Sequence, residues 1–260
     1  MTQAAFFDLD KTVIAKSSTL AFSRPLYKAG LLRRRTLLKA ALGQVFYMLF
    51  GADHSQLQKT RDALLALTKG WNRNEIEQLV TEALEEIVAP LVYAEALFLI
   101  DEHMREGRRV FIISASPEEI VRPLARYIGV GDVIATRAKV DGQERYTGEI
   151  DFYAYGENKA EEVRRMVVEQ GISLEDSYAY SDSVSDLPLL ETVGFPVAVN
   201  PDKELRVIAE DRDWPILEFE RQVSLRTRLT KPVPIISGAT LAAIVGGLVA
   251  LAILRSRRSS

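Results

Sequence analysis

The sequence contains no cysteine and only two histidines, His54 and His103. Without cysteine there can be no disulfide, no thiolate nucleophile and no cysteine-based zinc or iron–sulfur site. Neither histidine belongs to a metal-spacing motif. Carboxylates, hydroxyls and lysine therefore have to carry the chemistry, and oxygen ligands favour Mg²⁺, Mn²⁺ or Ca²⁺ over zinc.

Acidic residues are missing from the last part of the chain. Residues 221–260 contain seven basic residues and no acidic one, although the whole chain has a formal net charge of −3. Such a division predicts an acidic catalytic part followed by a segment with a different role. We predict a basic linker at 221–233, a transmembrane helix at 234–254 and a basic tail at 255–260.

The predicted transmembrane helix runs from Pro234 to Leu254 without a charged residue. A helix of about 20 apolar residues crosses the hydrocarbon core of a bilayer. The alternative is a helix buried in a soluble core, which would normally have a polar stripe, whereas this range has only Ser237 and Thr240, near its start. Small residues repeat every four positions, which would let two such helices pack as a homodimer: Gly238, Ala242, Gly246 and Ala250.

The N-terminus lacks a basic region followed by an apolar one, so we expect no secretory signal. We expect a single-pass C-terminal anchor in the cell membrane with the catalytic domain in the cytoplasm, although the flanking charges alone do not decide the orientation.

Residues 36–52 follow three arginines, Arg33 to Arg35. We interpret this stretch as a helix packed within a helical bundle, with a helix lying on membrane lipid as the alternative.

Short apolar runs alternate with helical patterns along most of the chain. This alternation predicts an α/β fold with a Rossmann-like, three-layer, mostly parallel sheet. The predicted strands are residues 4–8, 109–116, 133–136, 178–181 and 196–199; the predicted helices between them are residues 118–128, 159–170 and 187–193. An Asp-Gly turn within residues 139–150 predicts a hairpin.

About 90 residues separate the first two predicted strands, far more than a crossover needs. Their helical periodicity predicts an inserted helical cap at 15–107, with helices near 18–30, 33–50, 55–68 and 73–87. The catalytic core would then consist of residues 1–14 and 108–220.

Polar residues follow the predicted strands: Asp8, Asp10, Ser114 and Asp182. In parallel sheets ligands bind beyond the carboxyl ends of the strands, so we expect these side chains to converge. One of two carboxylates two residues apart can attack phosphorus while the other protonates the leaving oxygen. A cation such as Mg²⁺ would offset the repulsion between carboxylate and phosphate, and Lys159 and Ser114 would contact the phosphate oxygens. Each feature alone is common as a turn, a cap or a surface charge, so the prediction rests on the set.

These residues lie in segments that resemble the four motifs of the haloacid dehalogenase (HAD) superfamily. The first two segments are Phe6–Val13 and Ile112–Ser116; the third is Asn158-Lys159 and the fourth is Tyr180–Pro188. The long helical insertion after the first motif is similar to the C1 cap of the phosphoserine-phosphatase-like subfamily IB.

The resemblance implies a role for each matching residue. It makes Asp8 the nucleophile and Asp10 the general acid and then the general base. It makes Ser114, Lys159 and Thr12 phosphate ligands. Asp8, Asp10 and Asp182 would hold Mg²⁺. Asp186 would contact the metal through a bound water or would hydrogen-bond to one of its ligands.

Three positions depart from the phosphoserine phosphatase pattern. Ser114-Ala115-Ser116 replaces the usual Ser-Gly-Gly, Ser17 stands where a glutamate reads the substrate ammonium, and Ser185 replaces an asparagine. Phosphoserine is therefore not the expected substrate. Four residues at the predicted entrance would suit an anionic or polyol substrate instead: Lys16, Ser17, Ser18 and Arg24.

The sequence predicts a membrane-anchored, Mg²⁺-dependent phosphatase that acts on a phosphate monoester, either a small metabolite or a lipid-linked compound. We expect no nucleic acid partner. One alternative is a phosphotransferase with the same chemistry, in which an alcohol replaces water as the acceptor. The other is a non-catalytic, membrane-tethered binding module that keeps the fold.

Overall fold

The structure is a computed structural model that describes residues 2–31, 65 and 68–221. Its strands are β1 Ala4–Asp8, β2 Arg109–Pro117, β3 Asp132–Val140, β4 Tyr146–Phe152, β5 Tyr178–Ser181, β6 Phe195–Val199 and β7 Ile216–Leu217. They form one sheet in the order β4-β3-β2-β1-β5-β6-β7. All neighbours are parallel except β3 and β4, which are antiparallel. The predicted α/β sheet is confirmed.

The described helices cover the sheet and form part of the insertion. They are α1 Ser18–Ala21, α2 Ser23–Lys28, α3 Arg73–Ile87, α4 Ala94–Arg105, α5 Glu118–Tyr127, α6 Glu157–Gln170, α7 Leu187–Leu190 and α8 Lys203–Asp211. Two single 3₁₀ turns complete them, at Ala89–Leu91 and Val184–Asp186.

The central strand β1 explains why the sheet forms as it does. All five of its residues are buried, and it pairs with β2 on one side and β5 on the other. Strands covered by helices on both faces are apolar throughout instead of alternating, which is the pattern of Ala4 to Phe7. Asp8, the last residue of this strand, is thereby placed at the carboxyl edge of the sheet.

Several sequence predictions hold with small changes in their limits. The predicted hairpin is present: β3 and β4 pair in antiparallel fashion across residues 141–145. The strand predicted at 133–136 is longer, at 132–140, because it continues into that hairpin. The helix predicted at 187–193 ends at Leu190, and the two-residue strand β7 was not predicted.

The helix predicted at 18–30 is wrong as a single element. The chain forms α1 and α2 with a break at Phe22. Pro25 explains the break, because proline has no N–H to donate to residue 21 and its ring crowds that carbonyl in a continuous helix. In the first turn of α2 the same proline has no such conflict.

The predicted helix at 73–87 is confirmed. The side chain of Asn72 caps it by accepting hydrogen bonds from the backbone N–H groups of Asn74 (2.9 Å) and Glu75 (3.3 Å). This cap satisfies donors that the first turn of a helix leaves free. The helices predicted at 33–50 and 55–68 lie outside the described residues, apart from residues 65 and 68.

The insertion leaves and rejoins the core at neighbouring points. Ile14 and Val92 form an antiparallel bridge, and the N–H of Ala15 donates to the carbonyl of Leu91 (2.8 Å). Helix α4 follows this junction and packs against β1 and β2. The predicted cap of 15–107 therefore includes, at its end, a helix that covers the sheet.

Contacts divide the chain into two units, Met1–Ser224 and Leu225–Ser260. The predicted transmembrane helix, the basic tail and all of the linker except Arg221 lie outside the described residues. Among the residues that the structure describes, no helix has the length and apolar character needed to span a bilayer.

Candidate active site

Asp8, Lys159 and Asp186 form a buried cluster of charges at the carboxyl edge of the sheet. Nζ of Lys159 donates to Oδ1 of Asp8 (2.7 Å) and to Oδ2 of Asp186 (2.9 Å). The Lys159 side chain is 3% exposed, and the two carboxylates are 9% and 2% exposed. A charge this deep is tolerated only when it is paired. The structure thus brings together three residues that the sequence separates by up to 178 positions.

The cluster changes the protonation of its members. Burial raises the pKa of Asp8 well above its ordinary value, Lys159 opposes the rise, and Asp186 and Asp182 add to it. Burial lowers the pKa of Lys159, but Asp186 and Asp8 outweigh burial and hold it above its ordinary value. Lys159 is therefore a permanent positive charge beside Asp8.

Asp182 follows β5 and is the next acidic residue of the site. Burial raises its pKa to about 6; Lys11 opposes this rise, and Asp186 and Asp202 add to it. Nζ of Lys11 lies 3.6 Å from Oδ2 of Asp182, on a side chain that is 68% exposed. Such an exposed cation compensates a buried carboxylate weakly.

Sheet order explains why these residues meet. β1 lies between β2 and β5, so the loops after the three strands are neighbours. Side chains at the carboxyl ends of adjacent parallel strands share one crevice. This order places Asp8, Ser114 and Asp182 at the ends of neighbouring strands; the predicted convergence of these three residues and Asp10 on a ligand stays a prediction.

Asp10 has separate partners from the charged cluster. Its Oδ1 accepts a hydrogen bond from the backbone N–H of Ser18 (2.8 Å), and its Oδ2 accepts one from the hydroxyl of Ser116 (3.0 Å). Sequence reasoning treated Ser116 only as a departure from a motif and missed this contact. The signal was a hydroxyl at a position where the resembling family has glycine.

The two hydroxyls predicted to bind phosphate, those of Ser114 and Thr12, are both buried. Ser114 is 1% exposed, and its Oγ accepts a hydrogen bond from the N–H of Ser116 (3.1 Å). Oγ1 of Thr12 is buried and has no hydrogen-bond partner among the described residues. A buried hydroxyl without a partner costs about 1–3 kcal/mol. Thr12 is therefore free to bind a ligand oxygen, and its predicted role in phosphate binding stays a prediction.

The four residues predicted to set specificity differ in exposure. Lys16 and Arg24 are exposed, Ser17 is half-buried, and Ser18 is fully buried. The hydroxyl of Ser18 donates to Ser116 (2.9 Å), so Ser18 is engaged within the protein. The role of all four residues in substrate contact stays a prediction.

The predicted metal ligands Asp8, Asp10 and Asp182 stay a prediction. Among the described residues, no three acidic or imidazole side chains are grouped closely enough to hold a metal ion by themselves. The Asp10 carboxylate accepts hydrogen bonds from Ser18 and Ser116, whereas Asp8 and Asp182 are buried carboxylates that could hold the ion. The charge balance fits a cation, because three buried carboxylates, those of Asp8, Asp182 and Asp186, share one buried ammonium.

Asp202 is a site residue that sequence reasoning missed. Its carboxylate accepts hydrogen bonds from the N–H of Val184 (2.9 Å) and of Leu205 (2.8 Å), and its own N–H donates to the carbonyl of Asp182 (2.7 Å). Asp202 thus fixes the loop that contains Asp182 and Asp186 while capping helix α8. An aspartate directly before a helix is a recognisable capping signal, but the sequence does not show that Asp202 also contacts the loop of Asp182.

His103 is the one histidine among the described residues, and it contacts other side chains of the protein. Nε2 of His103 lies 2.8 Å from the hydroxyl of Tyr180, and Nδ1 lies 3.0 Å from Nη1 of Arg108. Burial, with Arg108 adding to the effect, lowers the pKa of His103 to about 3. His103 is therefore neutral, and His54 lies outside the described residues.

Comparisons with known proteins agree on one family. The family model of the haloacid dehalogenase-like hydrolases matches residues 5–191. A probable phosphatase of Mycobacterium tuberculosis is 48% identical over 256 residues, which cover 97% of this chain and 89% of the relative. A phosphoserine phosphatase of the same organism is 35% identical over 264 residues, covering 100% of this chain and 82% of the relative. A solved structure of a Bordetella pertussis protein of unknown function has a TM-score of 0.73 and 28% identity, over 84% of this chain and 99% of that one.

Proposed function

The chain belongs to the haloacid dehalogenase-like hydrolase family and is a phosphatase, and on this premise we propose that it hydrolyses a phosphate monoester through an aspartyl-phosphate on Asp8, with Mg²⁺ as cofactor. One observation carries the proposal: Lys159 pairs with Asp8 in a buried cluster at the carboxyl edge of the sheet. This contact leaves one carboxylate oxygen of Asp8, Oδ2, available to attack.

The proposed reaction has two steps. In the first, Oδ2 of Asp8 forms a bond to phosphorus, the bond to the substrate oxygen breaks, and Asp10 donates a proton to that oxygen. In the second, water attacks phosphorus, Asp10 takes a proton from the water, and the bond between Asp8 and phosphorus breaks. The products are an alcohol and inorganic phosphate, and Asp8 and Asp10 return to their starting states.

The charges around Asp8 explain how the first step becomes possible. Two negative groups repel each other, so a carboxylate approaches a phosphate only when positive charge lies beside both. Lys159 supplies one charge within the protein. Asp8 and Asp182 would hold Mg²⁺, which when bound supplies the second charge and polarises the phosphoryl oxygens.

The substrate is proposed to be a monoester other than phosphoserine. Ser17 stands where the resembling phosphatases have a glutamate for the substrate ammonium, and a hydroxyl cannot replace that charge. The relative named as a phosphoserine phosphatase is 35% identical, which leaves room for a change in specificity. The test is kcat/KM over a panel of monoesters. A preference for phosphoserine of about a hundredfold, or about 2.7 kcal/mol, would refute the argument from Ser17.

A membrane anchor at residues 234–254 is part of the proposal, with the catalytic domain in the cytoplasm. Its support is the uncharged sequence from Pro234 to Leu254 and the basic residues on both sides. The anchor would bring the site to lipid-linked phosphate monoesters. The small residues every four positions would allow a homodimer through this helix.

The function is tested by phosphate release with and without Mg²⁺. The wild type should release phosphate from at least one monoester with Mg²⁺ and lose this activity in EDTA. Asp8→Asn keeps the size of the side chain but removes the nucleophile, so activity should fall by several orders of magnitude. The matched control is Asp151→Asn, at an exposed aspartate paired with Arg137 (3.3 Å), which should keep full activity. Equal activity of Asp8→Asn and the wild type would refute the mechanism.

A further inference from the structure

The hydroxyl of Ser116, near the end of β2, contacts the loop after β1 and helix α1. It donates to Oδ2 of Asp10 (3.0 Å) and accepts from the hydroxyl of Ser18 (2.9 Å). A third hydroxyl, Oγ1 of Thr19, lies 3.1 Å away. Ser116 and Ser18 are both buried, so bulk water does not compete for the bond between them, whereas the contacts to Asp10 and Thr19 are partly buried.

A count of donors and acceptors defines the direction of each bond. A serine hydroxyl has one hydrogen to donate and two lone pairs to accept with. The hydrogen of Ser116 goes to Asp10, so Thr19 and Ser18 must both donate to Ser116. All three positions on Oγ are then filled, and Ser116 has no capacity left to bind phosphate or substrate. Its hydroxyl can act only through Asp10.

Both oxygens of Asp10 are held, and each is held by a different element. The backbone N–H of Ser18, at the start of α1, donates to Oδ1 (2.8 Å), and Ser116, at the end of β2, donates to Oδ2. Two bonds on two oxygens fix the plane of the carboxylate. Each oxygen keeps a second lone pair, on which a proton can be carried to and from the reacting groups.

Helix α1 is the first element of the insertion, so the contact also joins two parts of the molecule. Ser18 and Thr19 reach Asp10 and Ser116 only while α1 lies against the end of β2. The resembling motif has glycine at the position of Ser116, and glycine has no hydroxyl. The link is therefore a feature of this chain and does not follow from the motif.

We propose that Ser116 is a positioning residue that orients Asp10 for both proton transfers and makes this orientation depend on the docking of α1. The inference rests on the proposed function, in which Asp10 is the acid and the base. Ser116 itself touches neither the reacting atoms nor the substrate.

The test uses the full-length protein with Mg²⁺ and p-nitrophenyl phosphate, with kcat and KM measured at pH 7. Ser116→Ala should lower kcat by about tenfold or more, because a misplaced acid or base loses part of a contribution of about 10²–10⁴. KM should change by less than twofold, because Ser116 does not contact the substrate.

A second measurement does not depend on turnover. Amide hydrogen exchange at Ser18 should become faster in Ser116→Ala, because its acceptor Asp10 is no longer held. Ser116→Gly removes the same hydroxyl with less bulk and should give the same changes if Ser116→Ala folds poorly. The matched control is Ser23→Ala, which removes an exposed hydroxyl bond to the carbonyl of Leu20 (2.7 Å) on the same helices. This control should match the wild type in kcat and in amide exchange at Ser18.

Each result either supports the inference or overturns it. A lower kcat with unchanged KM and faster exchange at Ser18 supports it. A kcat within twofold of the wild type overturns it, and so does a lower kcat with unchanged exchange at Ser18 or a raised KM with unchanged kcat. If the wild type hydrolyses the ester, Asp8→Asn does not, and Ser116→Ala behaves as the wild type, the positioning role fails while the proposed function stands. A wild type without Mg²⁺-dependent hydrolysis overturns both.

Discussion

Nζ of Lys159 lies 2.7 Å from Oδ1 of Asp8, and both side chains are buried. The same ammonium contacts Asp186, so one positive charge serves two carboxylates. The contribution of such a pair to stability is not the sum of its attractions, because removing one partner leaves the other charges buried without compensation.

Lys159→Met is expected to reduce both stability and activity. The methionine fills a similar space but leaves Asp8 and Asp186 unpaired, so the free energy of unfolding should fall by about 3–5 kcal/mol at pH 7. Urea unfolding measures the loss. The matched control is Lys139→Met, whose exposed lysine pairs with Glu149 (3.0 Å) and should change stability by less than about 1 kcal/mol. Equal losses in the two variants would contradict the role given to Lys159.

The pKa of Asp182 predicts how stability without metal depends on pH. Its folded pKa is about 6, above the ordinary value of 3.8. Between these values the folded protein binds more protons than the unfolded chain, so Asp182 should make stability fall as pH rises from about 4 to 6, and Asp8, whose folded pKa is also raised, adds to this fall. The contribution amounts to as much as about 3 kcal/mol.

Urea unfolding in EDTA across this pH range measures the Asp182 effect. Asp182→Asn should make the fall smaller, because asparagine does not ionise, while the contribution of Asp8 remains. Mg²⁺ should reverse the trend in the wild type, since a bound cation favours the ionised carboxylate. A wild type whose stability is flat from pH 4 to 6 without metal would argue against the buried, uncompensated state of Asp182.

Gly194→Ala is expected to be strongly destabilising. A Cβ at this position would overlap the backbone carbonyl oxygen of Glu175, which cannot move away as a flexible side chain could. Overpacking of this kind costs about 1–3 kcal/mol or more. Thermal unfolding provides the measurement, and Gly131→Ala is the control, because a Cβ there meets nothing within 4 Å. The folded fraction of Gly194→Ala should keep its kcat.

Truncation tests the proposed anchor. The full-length protein should need detergent for extraction and should resist high-salt and alkaline washing, which do not remove a spanning helix. A chain ending after Ser224 should be soluble and active. The cut belongs there because the carbonyl of Arg221 accepts from Ala94 (2.8 Å), so a cut at 220 would remove a contact beside the junction of the insertion. Release of the full-length protein by salt alone would refute the spanning helix.

The sequence predicted the sheet and the strand-end positions of the aspartates because both depend on local patterns. It did not predict that Lys159 pairs with Asp8 and Asp186. Asp8 ends an apolar run, and Asp182 follows another, so strand order alone brings them together. The bonds of Asp10 could not be predicted, because they depend on how α1 is oriented against β2, which no local pattern encodes. The break at Phe22 was readable from Pro25. The contact of Asp202 with the loop of Asp182 could not be predicted, because it depends on the pairing of β5 with β6.

The junction at Ile14 and Val92 has a consequence for how proteins of this shape diversify. The two ends of the insertion are joined to each other by backbone contacts, so the sheet does not depend on the length of what lies between them. Longer insertions at such a place cost little free energy, because loop closure grows only slowly with length. One catalytic sheet can therefore carry insertions of different length between Thr19 and Leu91, while the strands that carry the aspartates stay unchanged.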